Sequence, residues 1–172
     1  MITLVLGGTR SGKSRVAERL AGSAPPVTYV ATARFDPDDF DHRSRIDAHR
    51  RRRPADWATV ECSVPADLVA ALRSGPGTLL VDSLGSWVTG HPDLTIDTGD
   101  LMAALAARTS PTILVSDEVG LAVHPPSELG RRFVDVVGSL NQELAAVSSR
   151  VVLVVAGRLL ELPRGREDPA SC

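Results

Sequence analysis

The stretch Gly7-Gly8-Thr9-Arg10-Ser11-Gly12-Lys13-Ser14 fits the pattern G-x-x-x-x-G-K-[ST]. It constrains the fold more than any other, because this loop works only between a strand and a helix. Both are expected here. Ile2-Thr3-Leu4-Val5-Leu6 is an apolar run suited to a buried parallel strand, and residues 15–21 contain no Gly or Pro and read as a helix. In that setting the glycines let backbone N–H groups curl around the β- and γ-phosphates of a nucleotide, and the helix N-terminus adds about half a positive charge. Lys13 would bridge β- and γ-oxygens, and the Ser14 hydroxyl would bind Mg2+. The flanking elements argue against an ordinary Gly-rich turn. Lys13 is also the only lysine, every other one of the 19 Lys and Arg residues being arginine. Arginine is no substitute at this position, because its planar fork cannot act as a compact point charge.

With 172 residues, 43% of them hydrophobic, the chain suits one domain, 1–172, with a sizeable core. A net charge of −2 provides no basic field to draw it to nucleic acid or a membrane surface. The opening residues carry no basic cluster and no apolar run reaches the length of a membrane span. These features lead to the expectation of a cytoplasmic protein. Cys62 and Cys172 are too few for a disulfide framework and have no neighbours suggesting zinc, so both are expected to be free thiols.

Gly22 and Pro25-Pro26 end the first helix, and Val27-Thr28-Tyr29-Val30-Ala31 reads as a second strand. Ala31, Thr32 and Ala33 then form a small-residue turn at its carboxyl end, where ligands of open α/β sheets bind, and are a candidate wall of a nucleotide site. Residues 38–52 are acidic first (Asp38, Asp39, Asp41) and basic later (Arg43, Arg45, Arg50, Arg51, Arg52), with Arg53 following, as the macrodipole of a helix prefers. Helical spacing gathers Arg45, Ile46, His49, Arg52 and Arg53 near one face. A run of this kind is either a solvated charged face or a polyphosphate site whose guanidinium groups keep His49 unprotonated and nucleophilic.

Residues 57–62 pass as a strand, with Glu61 near its end. Pro65, Leu68, Val69 and Leu72 mark a short helix closed by Gly75. The strand Thr78-Leu79-Leu80-Val81 runs into Asp82, the usual companion of a phosphate loop, where the acid holds Mg2+ directly or through water. Asp117 and Glu118, after Thr112-Ile113-Leu114-Val115-Ser116, compete for that role, with Asp82 slightly favoured. Residues 83–100 look like a helical turn and a loop that lines a substrate site. A helix over residues 98–108 follows. Ser127 caps the longest helix, whose Leu129, Phe133, Val136, Leu140, Leu144 and Val147 read as core. Residues 150–155 form a final strand, and the Leu159-Leu160 pair beyond would pack on the domain or a neighbour. The alternation gives a single-domain α/β fold of the P-loop NTPase kind with a mostly parallel sheet.

Several of these stretches together resemble a family. They are the phosphate loop; Tyr29-Val30-Ala31-Thr32; Arg45-Ile46 with His49, Arg53-Pro54, Trp57, Thr59 and Glu61; Asp117-Glu118-Val119-Gly120; and Arg132-Phe133 with Asp135, Gly138, Asn141-Gln142 and Leu144-Ala145. The chain resembles, over nearly its whole length, the bifunctional adenosylcobinamide kinases / adenosylcobinamide-phosphate guanylyltransferases of cobalamin biosynthesis. The resemblance implies a kinase step on the aminopropanol hydroxyl of adenosylcobinamide with ATP or GTP. A second step then moves GMP from GTP through a covalent guanylyl-histidine, giving adenosylcobinamide-GDP and pyrophosphate. His49 matches that histidine. The residue before it, a second histidine in some members, is Ala48 here. By the same resemblance the phosphate loop, the Ala31, Thr32, Ala33 turn, Arg50, Arg51, Arg52, Arg53, Glu61 and Asp82 contact guanine nucleotide, and the protein is a homotrimer. The residues after Arg158 are assigned no function.

Two other readings compete with this one. The first is a plain small-molecule kinase in which His49 is structural. The second is an RNA-binding module built on Arg50 to Arg53, disfavoured by the net charge and by the 3% aromatic content available for base stacking.

Overall fold

The computed structural model describes residues 1–33 and 53–164. The elements are β1 (Ile2–Gly7), α1 (Lys13–Gly22), β2 (Val27–Ala31), β3 (Ala58–Glu61), α2 (Pro65–Ser74), β4 (Thr78–Asp82), α3 (Leu84–Thr89), a 3-10 turn (Pro92–Leu94), α4 (Gly99–Ala107), β5 (Thr112–Asp117), α5 (Glu128–Val147), β6 (Arg150–Val155) and β7 (Arg158–Glu161). The expected helix over residues 38–52 lies outside the described residues.

The strands form one sheet in the order β3-β2-β4-β5-β1-β6-β7. It is parallel except for β7, which runs antiparallel to β6. The sequence reading left the Leu159-Leu160 segment unassigned. Its strand is short and exposed along its whole length, so no alternation of buried and exposed residues announced it.

Successive strand residues point to opposite faces, which divides the core in two. Leu4, Leu79, Val81 and Leu114 face the layer of α2, α3, α4 and α5. Val5, Leu80 and Val115 face α1 through Val16, Ala17 and Ala21. α5 lays Val137, Leu140 and Leu144 on the sheet. Two residues expected in the core are not there: Leu129 and Val147 sit at the helix ends and are 64% and 45% exposed. Their spacing is helical, but the sheet is shorter than the helix and does not reach them.

The helix starts follow local chemistry. The Ser127 side chain accepts from Gly130 N at 3.1 Å, and the Asp67 carboxylate accepts from Ser63 N at 2.7 Å and Val64 N at 3.0 Å. Among the described residues no helix is long and apolar enough to cross a membrane. Cys62 is a buried free thiol, as expected.

β1 lies between β5 and β6, so the register sets Gly7 beside Asp117. Asp82 is one strand further off, with β4 about 10 Å from β1 at the usual strand spacing. The two competing acidic positions are therefore one and two strands away from the phosphate loop.

Candidate active site

The loop between β1 and α1 bends through two left-handed residues, Arg10 (φ 59°) and Gly12 (φ 93°). Arginine tolerates that conformation poorly, so neighbours must hold it. The hold comes from the turn between β6 and β7. Gly157 N donates to Ser11 O at 2.7 Å, and a Cβ on Gly12 would lie 3.2 Å from the Gly157 Cα. The first turn of α1 contains no acidic side chain, which leaves its N–H groups to an anion.

The Lys13 ammonium donates to Gly8 O at 3.3 Å and pairs with Asp117 Oδ1 at 2.9 Å. The Lys13 side chain is only 14% exposed. Asp117 is fixed from behind by Asn141 Nδ2, which donates to its carbonyl at 2.9 Å. A Cβ on Gly85, in the first turn of α3, would overlap Asp117 Oδ2, so only glycine leaves the carboxylate its place there.

At the end of β4, Asp82 accepts a 3.0 Å hydrogen bond from the Tyr29 hydroxyl, and the Asp82–Ser83 peptide bond is cis. Burial, and then the charge of Asp82, push the Tyr29 phenol far above its ordinary pKa, so it stays a donor. Its ring carries Arg53, whose Cζ stands 3.3 Å from the ring centroid. Among the described residues Arg53 Nε is buried and has no hydrogen-bond partner.

These groups share one cavity of about 900 Å³. Thr9, Arg10, Ser11, Gly12, Lys13 and Ser14 line it, as do Ala31, Ala33, Arg53, Glu61 and Asp82. Gly7 and Gly8 are not among the lining residues; a Cβ on Gly7 would come 2.9 Å from Val154 O, whereas one on Gly8 would meet open space. Thr32 is buried and turned away, its hydroxyl donating to the Ser83 carbonyl. His49, Arg50, Arg51 and Arg52 lie outside the described residues.

Among the lining residues that the sequence did not mark as nucleotide contacts are Tyr29, Phe133 and, within the stretch 83–100 read as lining a substrate site, Ser83 and Ser86. Tyr29 and Phe133 sit on elements whose periodicity marks them as core. Ser83 had a local signal, because it follows the Asp82 strand and caps α3 by accepting from Ser86 N at 3.4 Å. Glu118, the third acid considered, spends both carboxylate oxygens on backbone, accepting from Gly120 N at 2.7 Å and Leu121 N at 3.2 Å.

The site thus combines an anion-receiving loop, one ammonium, the carboxylates of Glu61, Asp82, Asp117 and Glu118, and a guanidinium on an aromatic ring. Such a set is chemically suited to a nucleoside polyphosphate and to the oxygen ligands of a hard divalent cation. Among the described residues no cluster of three His, Cys, Asp or Glu side chains is placed to hold a metal by itself. Mg2+ does not require one, because it takes phosphate oxygens and waters beside one or two protein oxygens.

Comparisons agree with this geometry. Residues 3–162 match the family model described as cobinamide kinase / cobinamide phosphate guanyltransferase. The chain is 45% identical over 167 residues to the bifunctional adenosylcobalamin biosynthesis protein CobP of Pseudomonas aeruginosa, covering 91% of this chain and 94% of that one. It is 36% identical over 177 residues to the bifunctional adenosylcobalamin biosynthesis protein CobU of Salmonella typhimurium, covering 91% and 97%. In fold alone it is similar to the flagellar accessory protein FlaH from Methanocaldococcus jannaschii, with a TM-score of 0.51 and 14% identity over 92% of this chain and 74% of that one. On the extent of the family match and the identity to these relatives, the chain belongs to the cobinamide kinase / cobinamide phosphate guanyltransferase family.

Proposed function

We propose that this protein phosphorylates adenosylcobinamide and then guanylylates the product, as a single unit spanning 1–172. The observation that carries the reading is the Lys13 ammonium poised in a phosphate loop beside Asp117, with Asp82 across the same cavity, in a chain of this family.

In the kinase step the acceptor hydroxyl oxygen attacks the γ-phosphorus of ATP or GTP. The bond to the β–γ bridging oxygen breaks, the nucleoside diphosphate leaves, and the hydroxyl proton goes to solvent or a carboxylate. Lys13 and the N–H groups of the loop draw charge from the phosphoryl oxygens, while Arg53 and Glu61 bound the rest of the nucleotide. In the second step a His49 nitrogen attacks the α-phosphorus of GTP and pyrophosphate leaves. A phosphate oxygen of adenosylcobinamide phosphate then attacks the same phosphorus and frees the histidine. Arg50, Arg51 and Arg52 neutralise the polyphosphate.

Ser14 and Asp82 would hold Mg2+, which would supply charge neutralisation on the phosphates. Asp82 is preferred to Glu118, both of whose carboxylate oxygens accept from backbone N–H groups of its own turn, because Asp82 ends an apolar strand at the cavity. Thr32 supports the wall through Ser83 and does not touch nucleotide. The protein works in the cytoplasm as a homotrimer, which sedimentation of the purified chain tests.

The deciding experiment incubates the protein with Mg2+ and GTP labelled at the α-phosphorus. Acid-labile, alkali-stable label, absent from His49→Ala and Lys13→Ala, is the expected result. No adduct in the wild type, with γ-phosphate transfer to adenosylcobinamide intact, leaves a simple kinase with a structural His49.

A further inference from the structure

The cavity has two chemically different sides. Lys13, Asp82, Asp117 and Arg53 form the ionic one; Val119, Ala122, Val123, Pro125 and Phe133 form an apolar one. At about 900 Å³ the space bounded by the described residues is at the upper end of the ~300–1,000 Å³ typical of small-molecule sites. The charged chain of a nucleotide gains nothing from the apolar side.

That side is held in place at both ends. Where the chain leaves β5, Glu118 N donates to Gly7 O at 3.1 Å, and the Glu118 carboxylate takes the N–H groups of Gly120 and Leu121. At the far end Arg131 Nη1 donates to Pro126 O at 2.8 Å and Pro125 O at 3.4 Å. Pro125 packs so near Gly130 that a Cβ there would lie 2.8 Å from the Pro125 Cβ. Two charged side chains thus fix a segment that presents Leu121 and Val123 to solvent, 80% and 93% exposed. Apolar groups displayed on a fixed segment gain only when a ligand or partner covers them. This segment shares its cavity with the phosphate loop, so the molecule that covers it lies against the transferred phosphate.

We propose that segment 119–126 together with Phe133 is the subsite for the acceptor. It takes a macrocycle with an apolar, methyl-bearing flank, the corrin edge of cobinamide, and leaves the reactive arm directed at the nucleotide phosphates. The proposal rests on the kinase and guanylyltransferase reading. Val123 is a specificity residue within the subsite: it touches the acceptor and makes no contact with the nucleotide. Glu118 and Arg131 are positioning residues that act through the segment.

The test compares Val123→Asp and Val123→Leu with wild type in the full chain. Cobinamide KM and kcat, cobinamide affinity by its visible absorption, GTP affinity by calorimetry, melting temperature and sedimentation mass are measured. Val123→Asp is expected to raise the cobinamide KM and dissociation constant about tenfold or more, with GTP affinity, melting temperature and mass unchanged. Val123→Leu should keep both within about twofold of wild type. Turnover with unchanged KM and affinity in Val123→Asp overturns the subsite and leaves the functional reading intact. A shift that comes with loss of sedimentation mass also overturns it, making the segment a contact between copies. Wild-type binding without turnover, lost in Val123→Asp, sinks the catalytic reading and keeps the subsite; no cobinamide binding by wild type sinks both.

Discussion

The ammonium of Lys13 stands 2.9 Å from Asp117 Oδ1, so the group that would receive a nucleotide phosphate already faces an anion. Lys13 opens α1 and Asp117 ends β5, the strand beside β1, and the carboxylate competes with phosphate for the same charge. Asp117→Asn removes the competitor while keeping the shape. Without divalent cation, calorimetry should show nucleotide affinity improved about three- to tenfold, the scale of a partly exposed ion pair. Weaker binding in that variant would mean that Asp117 assists the nucleotide and does not oppose it.

Gly85→Ala places a methyl group on Asp117 Oδ2 and 3.5 Å from Phe133 Cζ. Overpacking costs about 1–3 kcal/mol, against a helix-propensity gain of at most about 1 kcal/mol, so net destabilisation is expected. Truncating the opposing side chain should relieve it. Urea denaturation of Gly85→Ala, Asp117→Ala and the double variant is expected to show a favourable coupling; strict additivity would place the clash elsewhere.

Tyr29→Phe deletes the hydroxyl that holds Asp82 and keeps the ring under Arg53. Stability should fall by about 1 kcal/mol, the worth of one hydrogen bond. Turnover should fall because Asp82 loses a partner that sets its orientation, while calorimetric nucleotide affinity stays close to wild type. Equal losses in affinity and turnover would assign Tyr29 to binding.

Burial pushes the Cys62 thiol up to about 11, with Asp67 adding to the shift. In a Cys172→Ser background, alkylation of the native protein should be slow near neutral pH and accelerate with pH towards that value, whereas the denatured chain reacts readily from about pH 8.5. The folded pKa lies above the unfolded one, so between them the unfolded state releases a proton that the native state keeps. Stability therefore falls as pH rises through that interval. Chemical denaturation of the Cys62→Ser variant in the same background should lack this part of the alkaline loss.

The sequence made the phosphate loop and the strand–helix alternation legible because each is written in contiguous residues. Glycines mark the bend, four- to six-residue apolar runs mark strands, and Ser127 marks a helix start. Strand order is not contiguous, so the placement of β5 between β1 and β4, which brings Asp117 to Lys13, had no local signature. Tyr29 reads as a strand aromatic, and its second role exists only because Asp82 lies on the paired strand. The exposure of Leu129 was misread for a related reason: helical spacing gives the face but not where the sheet beneath it ends.

The contacts of β1 and its loop set the order in which the protein can become competent during synthesis. β1 leaves the ribosome before both of its neighbours, β5 and β6, and the Gly157 N–H that braces Ser11 arrives later still. Until then the nascent chain carries an apolar strand with both edges open, the non-local pairing that folds slowly and invites misassembly. The nucleotide loop takes its final shape only when residue 157 has cleared the exit tunnel. GTP retention by ribosome-bound chains of graded length should therefore report completed translation, switching on only after β6 has emerged.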